Sequence, residues 1–79
     1  MYYTYILESL STKARYIRYT SDLKRRVGEH NRGKCNHTAK VRPWKVKLYV
    51  GFETVDLARR FERYLKSGSG HAFAKRHFD

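Results

Sequence analysis

The sequence is poor in several residue types, and each shortage excludes a class of protein. It has one cysteine among 79 residues, so no intrachain disulfide forms, and we expect Cys35 to be an ordinary small residue in a loop. One proline and the lack of a low-complexity tract argue against disorder. The sequence shows neither a signal-peptide pattern nor an apolar run of membrane-spanning length, so we expect a reducing cytoplasmic location and no membrane partner.

Acidic residues are scarce as well. The chain has 18 Lys and Arg against 7 Asp and Glu, which gives a formal net charge of +11. A charge of this size attracts polyanions over long distances, so nucleic acid is the expected partner. An anionic membrane surface is an alternative, but it calls for a long amphipathic helix with apolar bulk opposite its basic face, and none is visible. The size of the imbalance disfavours a third reading, a basic protein without such a partner.

The residues that are present predict one α+β domain over residues 1–79, built on three strands. β-forming residues fill 1–7 and 15–20, and the polar stretch between them indicates a hairpin. Apolar residues alternate with others along 45–52, which predicts a third strand with every second residue from Val46 to Phe52 on one face. The expected fold is a mostly antiparallel sheet flanked by helices, in the order ββαβα with a short C-terminal helix.

The first predicted helix follows the hairpin. Thr20 or Ser21 is expected to cap it, with Asp22 in its first turn and residues 31–33 at its end. The polar and basic stretch 34–42 is predicted to be a loop.

The second predicted helix follows the third strand. Thr54 is expected to cap it, with Asp56 in its first turn. Gly68 and Gly70 are expected to end it, before a last short helix over 71–77. Its predicted apolar stripe consists of Leu57, Ala58, Phe61 and Leu65.

Four side chains near the start of the chain are candidates for chemistry. In the predicted hairpin Tyr5 and Tyr16 can meet across the ladder, although tyrosines in strands are commonly packing residues. Arg26 and His30 are four residues apart and therefore neighbours on one helix face. A guanidinium suits a phosphate, and an imidazole can orient or carry a proton. A solvated basic helix face explains the same two residues.

Glu62 is a lone carboxylate in a basic part of the second predicted helix. It borders the apolar stripe, where one carboxylate can hold a Mg²⁺ ion that keeps several of its waters. An ion pair with Arg59, Lys66 or another neighbour is an equally good interpretation, and such a pair contributes little at a surface.

Several stretches together follow a recognisable order and spacing over nearly the whole chain. They are Tyr2-Tyr3-Thr4-Tyr5-Ile6-Leu7, Tyr16-Ile17-Arg18, Thr20-Ser21-Asp22-Leu23-Lys24-Arg25-Arg26, Glu29-His30-Asn31, Arg42-Pro43-Trp44, Phe52-Glu53-Thr54 and Phe61-Glu62-Arg63-Tyr64-Leu65-Lys66-Ser67-Gly68. In this arrangement the chain resembles the GIY-YIG nuclease superfamily, and more closely its compact stand-alone branch of endonuclease-like bacterial proteins.

The resemblance implies a metal-dependent endonuclease that hydrolyses phosphodiester bonds in DNA, rather than RNA, with one Mg²⁺ or Mn²⁺ ion. In the family a tyrosine is proposed to help deprotonate water, and an arginine stabilises the charge on the phosphoryl group. By position, the implied catalytic residues are Tyr5, Tyr16, Arg26, His30 and Glu62, with Glu62 as the metal ligand. The residues expected to contact nucleic acid are Arg18, Lys24, Arg25, Lys34, Lys40, Arg59 and Lys66.

Arg18 departs from the family pattern, because the second triad of the family ends in glycine. Its side chain is expected on the same sheet face as Tyr16, where a cation can add a phosphate contact, block the substrate or displace Arg26. The alternative function is therefore a catalytically inactive nucleic-acid-binding module on the same scaffold. A third reading is a small interaction domain for another protein, with the charge serving RNA or ribosome association.

Overall fold

The structure is a computed structural model that describes residues 1–34 and 36–78, so the expected loop position of Cys35 lies outside the described residues. Within them the predicted α+β class is confirmed. The elements are β1 (Tyr2–Ser9), β2 (Arg15–Thr20), α1 (Leu23–Asn31), α2 (Asn36–Ala39), β3 (Trp44–Phe52), α3 (Val55–Lys66) and α4 (Gly68–Phe78). The strands form one sheet in the order β2-β1-β3, and both pairings are antiparallel.

The central strand β1 supplies side chains to two cores, one on each face of the sheet. Successive side chains of a strand point to opposite faces, so a central strand covered on both sides is buried along its length. Tyr5 and Leu7 pack with Trp44 on the face that α1 covers. Ile6 packs with Leu65 and Ala74 on the face that α3 and α4 cover. The candidate site lies at the first of these faces and at the free edge of β2.

Strand β3 forms where it is predicted, but its side chains do not keep a single alternation. The register shifts between Ile6 and Leu7, so Leu48 lies opposite Ile6 while Val46 lies opposite Leu7. Leu48 packs against the α3–α4 core, whereas Val46 lines a groove beside α1. The prediction that Val46 shares a face with Leu48 is therefore wrong, because the irregularity inserts one residue into the ladder.

Helix α1 is capped by Asp22, so the prediction of Thr20 or Ser21 as the cap is wrong. The Asp22 carboxylate accepts a hydrogen bond from the Arg25 backbone N–H at 3.1 Å, and its charge suits the positive end of the helix. The Thr20 hydroxyl instead accepts a hydrogen bond from the Asp22 backbone N–H. The helix ends at Asn31, inside the predicted range.

The stretch 34–42 contains the short helix α2, where the sequence predicts a loop. This turn of helix buries Thr38 completely. The Thr38 carbonyl accepts a hydrogen bond from the Trp44 indole N–H at 2.9 Å. Such tertiary contacts stabilise a helix too short to be stable alone, and no periodic pattern in the sequence reports them.

Helix α3 begins at the predicted cap, because the Thr54 side chain accepts a hydrogen bond from the Leu57 backbone N–H. Two details of this region differ from the prediction. Leu57 belongs to the predicted apolar stripe but is 43% exposed. Gly68 and Gly70 lie within α4 rather than in a turn before it, since α4 starts at Gly68. No helix in the described part of the chain is long and apolar enough to cross a membrane.

Candidate active site

A line of three hydrogen-bonded side chains lies between β1 and the helices that cover it. Tyr5, His30 and Thr38 are completely buried. Tyr5 Oη is 3.2 Å from His30 Nε2, and His30 Nδ1 is 2.8 Å from Thr38 Oγ1. The sequence pointed to Tyr5 and His30 but gave no signal for Thr38, which lies in the stretch predicted to be a loop.

The environment of these groups sets their protonation. Burial, assisted by the nearby phenol of Tyr16, raises the pKa of Tyr5 to about 12, and the charges of Arg26 and Arg18 offset part of this effect. Burial, followed by the charge of Arg26, lowers the pKa of His30. At neutral pH the phenol is therefore protonated and the imidazole neutral, so one ring nitrogen of His30 donates a hydrogen bond and the other accepts one.

Tyr16 meets the same imidazole from the neighbouring strand. Its ring packs edge-on against His30, with ring centroids 4.9 Å apart and planes at 63°. In the ladder Tyr16 lies opposite Leu7 rather than opposite Tyr5, so the two tyrosines converge diagonally on His30. Tyr16 is half-buried while Tyr5 is completely buried, so Tyr16 is the phenol that solvent reaches.

Arg26 lies on α1, one turn before His30, and pairs with Glu29. Its Nη1 is 3.0 Å from Glu29 Oε1, and its guanidinium acts electrostatically on the Tyr5 phenol. The Arg26 hydrogen bond, together with the charge of Arg25, outweighs the effect of burial and lowers the pKa of Glu29. Glu29 therefore stays ionised and orients the guanidinium beside the buried phenol.

Glu62 reaches the site from α3, which covers the opposite face of the sheet. It is 7% exposed, and its Oε2 is 2.9 Å from Lys66 Nζ. Arg18 Nη1 is 3.5 Å from both carboxylate oxygens. Arg18 itself lies opposite Tyr5 in the ladder, and its guanidinium lies 4.8 Å from the centre of the Tyr19 ring. Of the interpretations of Glu62, the structure shows the ion pair, with Lys66 as predicted and with Arg18 in addition.

The five residues implied by the resemblance therefore fall into two connected groups. Tyr5, Tyr16, Arg26 and His30 form one cluster on the α1 side of the sheet. Glu62 lies at the edge formed by β2, and Arg18 connects it to that cluster.

Glu62 offers a hydrated divalent ion one carboxylate beside open space, among several cations. The carboxylate faces a hollow of about 300 Å³ that Arg18, Tyr19, Arg59 and Arg63 also line. Mg²⁺ is commonly bound through one or two carboxylates and substrate phosphates while it keeps several waters, so a single carboxylate beside open space suits it. Among residues 1–34 and 36–78, no three His, Cys, Asp or Glu side chains are grouped to hold a metal by themselves. The arrangement thus suits an ion that the substrate helps to bind.

The seven basic residues expected to contact nucleic acid are all exposed. Arg18 and Lys66 contact Glu62, and Arg59 lines the same hollow. Lys24 lies in the first turn of α1 and lines a groove of about 580 Å³ that holds none of the clustered catalytic candidates. The remaining three are Arg25 on α1, paired with Glu29 at 3.8 Å, and Lys34 and Lys40 on either side of α2.

Comparisons with known proteins identify a family. A family model described as the GIY-YIG catalytic domain matches residues 1–76. The UPF0213 protein YsiG of Lactococcus lactis is 39% identical over 66 residues, and the UPF0213 protein lin0209 of Listeria innocua is 38% identical over 66 residues. Each match covers 82% of this chain, and they span 62% and 72% of the two relatives.

A solved structure shows the same fold. The solution NMR structure of the UPF0213 protein BH0048 from Bacillus halodurans has a TM-score of 0.59 and 28% sequence identity, and the match covers 99% of this chain and 87% of that one. The UPF0213 proteins are a small stand-alone group with GIY-YIG domains, which indicate nuclease-type activity on nucleic acid. The present chain therefore belongs to the GIY-YIG family.

Proposed function

We propose that this chain is a metal-dependent endonuclease that hydrolyses phosphodiester bonds in DNA with one Mg²⁺ or Mn²⁺ ion. The observation that carries the proposal is the convergence of Tyr5, Tyr16, Arg26 and His30, with Glu62 connected to them through Arg18. Burying polar and charged groups from separate elements costs desolvation that apolar side chains would avoid, so the cluster favours a functional role.

The two tyrosines have different roles in this proposal. Tyr5 is completely buried and stays protonated, so it holds the His30 ring in position and does not take a proton from the water. Tyr16 is reached by solvent and packs on the same imidazole, so we assign to Tyr16 the contact with the attacking water. His30, fixed between Tyr5 and Thr38, keeps the Tyr16 ring in place.

The charged residues act on the phosphate. The Arg26 guanidinium, oriented by Glu29, can donate hydrogen bonds to the phosphoryl oxygens as their negative charge grows. Glu62 is the residue that would hold the divalent ion, which when bound polarises the phosphoryl group as a Lewis acid. The exposed cations near Glu62 bind the flanking phosphates and contribute no sequence selectivity.

A plasmid-nicking assay tests the assignment. We expect nicking by the wild type in Mg²⁺ or Mn²⁺, and a loss of about 100-fold or more in Tyr16→Phe and in Glu62→Gln, the range that one catalytic group contributes. Tyr64→Phe and Glu53→Gln are matched controls, because both residues are exposed and outside the site. Nicking that survives both Tyr16→Phe and Glu62→Gln would refute the assigned site.

One observation favours the second candidate function, a nucleic-acid-binding module without activity. Arg18 stands where the family pattern has glycine, and its guanidinium contacts both oxygens of Glu62. In that case the wild type binds DNA in a salt-dependent way but does not nick it, and Arg18→Gly restores cleavage. If Arg18→Gly instead lowers an existing activity, Arg18 is a phosphate ligand of a working enzyme. Competition among duplex DNA, single strands and RNA identifies the preferred partner.

A further inference from the structure

Arg18 occupies the carboxylate to which the proposed function assigns the metal. Its Nη1 is 3.5 Å from both Glu62 oxygens, and Lys66 Nζ is 2.9 Å from Oε2. A divalent ion that approaches Glu62 must displace the guanidinium or accept a like charge beside it. Both alternatives weaken metal binding, because like charges a few ångströms apart repel strongly in a partly buried site.

The contact between Arg18 and Glu62 is loose enough to be exchanged. A distance of 3.5 Å is at the far end of the hydrogen-bond range, and the Arg18 side chain is 47% exposed. Lys66 is closer to Glu62 and lies one turn further along the same helix, so the two residues move together. Arg18 comes from a different element, β2, and can leave without any change in α3.

Arg18 also lies between the two groups of the candidate site. It is opposite Tyr5 in the ladder, and its charge acts on the Tyr5 phenol. The guanidinium fork matches the geometry of a phosphate and is weakly hydrated, so a phosphodiester competes well with a distant carboxylate for it. Arg26 and Arg18 both act on the Tyr5 phenol, so a phosphate that contacts Arg26 also lies near the Arg18 guanidinium.

We propose that Arg18 makes metal binding at Glu62 conditional on a bound phosphodiester. Without nucleic acid the guanidinium pairs with Glu62 and weakens the binding of a divalent ion. A phosphodiester draws the guanidinium away, and the released carboxylate then binds the ion. By linkage, the ion strengthens phosphodiester binding by the same factor. The inference rests on the proposed function, because that function assigns the metal to Glu62.

The test follows Mn²⁺ binding at Glu62 through the paramagnetic broadening of its backbone NMR signal, plotted against free Mn²⁺ concentration. The measurement uses the full chain alone and then with a short DNA duplex. A gel run afterwards checks that the duplex has not been cleaved. Arg18→Gln removes the charge and keeps a long polar side chain on an exposed site. Arg60→Gln is the matched control, because Arg60 is exposed on the same helix as Glu62 but does not line the hollow and forms no ion pair with Glu62 in the described part of the chain.

We expect Arg18→Gln without DNA to bind Mn²⁺ about fivefold more tightly than the wild type, the effect of one ion pair at a partly exposed site. Arg60→Gln should stay close to the wild type. Adding the duplex should lower the Mn²⁺ midpoint of the wild type and of Arg60→Gln by about the same fivefold factor. It should change the midpoint of Arg18→Gln much less, since that variant has no guanidinium to withdraw.

Two results would overturn the inference. One is an equal Mn²⁺ midpoint in the wild type and Arg18→Gln without DNA. The other is an equal fall in the Mn²⁺ midpoint of the wild type and of Arg18→Gln when DNA is added. That result would mean that a Mn²⁺ ion bridging Glu62 and a phosphate explains the whole coupling. Either result leaves the proposed function standing if nicking still needs Tyr16 and Glu62. No broadening of the Glu62 signal in any variant would instead refute the metal ligand itself, and both proposals with it.

Discussion

At the scale of single residues, the line from Tyr5 through His30 to Thr38 is the part of the site that tolerates change least. Each of these buried polar atoms has its partner, and within the described residues no buried side-chain nitrogen or oxygen is left without one. Removing one member therefore leaves the next without a partner in a place that water does not reach, which costs more than losing one exposed hydrogen bond.

Tyr5→Phe tests this dependence. The substitution keeps the ring and removes the hydroxyl that pairs with His30 Nε2, so we expect a loss of about 1–3 kcal/mol in the free energy of unfolding. Tyr64→Phe removes a hydroxyl from an exposed ring and should change stability by less than about 0.5 kcal/mol. Urea unfolding followed by circular dichroism measures both variants. Equal losses would show that the hydroxyl of Tyr5 has no special partner.

His30 also makes stability depend on pH. Burial and the charge of Arg26 lower the His30 pKa in the folded chain below its ordinary value of 6.5. As the pH falls below 6.5, His30 binds a proton in the unfolded chain but not yet in the folded chain. The free energy of unfolding is therefore highest above that pH and declines below it. Glu29, whose pKa is lowered, adds a similar loss when the pH falls below 4.5.

We therefore expect the free energy of unfolding to fall between about pH 7 and pH 5 in the wild type and to fall much less in His30→Gln. The slope against pH is the informative quantity, because His30→Gln also lowers stability at every pH. His71→Gln serves as the control. Since His71 is exposed, its substitution should leave the slope unchanged. A slope that survives His30→Gln would place the titrating group elsewhere.

At the scale of helices and strands, the approach of α4 to α3 depends on one glycine. Gly70 is buried, and a methyl group built on it would overlap the Tyr64 carbonyl and the backbone of Leu65. Backbone atoms cannot swing aside as a flexible side chain can, so the two helices would have to separate. The same addition at Gly68 meets nothing within 4 Å.

Gly70→Ala should lower the free energy of unfolding by about 3 kcal/mol, the upper part of the range for overpacking. Gly68→Ala should be neutral or should raise stability by up to about 1 kcal/mol, because alanine reduces the freedom of the unfolded chain. Thermal unfolding of the two variants side by side gives the comparison. Similar melting temperatures would contradict the close approach at Gly70.

The sequence predicts elements well where their signal is local. The strand composition, the Thr54 cap and the spacing of Arg26 and His30 all lie within one element and are visible as patterns. The helix α2 and the register shift at Ile6 depend on contacts with distant parts of the chain. The contact of Arg18 with Glu62 joins positions 44 residues apart and exists because α3 packs across the edge of β2. No local pattern reports such a contact.

At the scale of the whole molecule, three of the acidic side chains are each shared among several cations. Glu8, on β1, lies 3.6 Å from Arg15, 3.5 Å from Lys45 and 3.8 Å from Lys47. Burial opposes its ionisation, but the charges of Lys47, Lys45 and Arg15 outweigh burial and lower the pKa of Glu8. Glu29 and Glu62 each have two cationic partners in the same way. The other Lys and Arg side chains, which give the net charge of +11, lie mostly at the surface, where a polyanion can reach them.

This surplus predicts how DNA binding responds to salt. The logarithm of the binding constant should fall with the logarithm of salt concentration by about 0.9 per phosphate contacted. The double variant Lys24→Gln, Arg59→Gln removes two predicted contacts and should reduce that slope by about 1.8. The double variant Lys75→Gln, Arg76→Gln removes the same charge from exposed positions of α4 and should leave the slope unchanged. Fluorescence anisotropy with a labelled duplex measures all three slopes. Equal reductions in both double variants would mean that net charge alone, rather than the predicted contact residues, binds the nucleic acid.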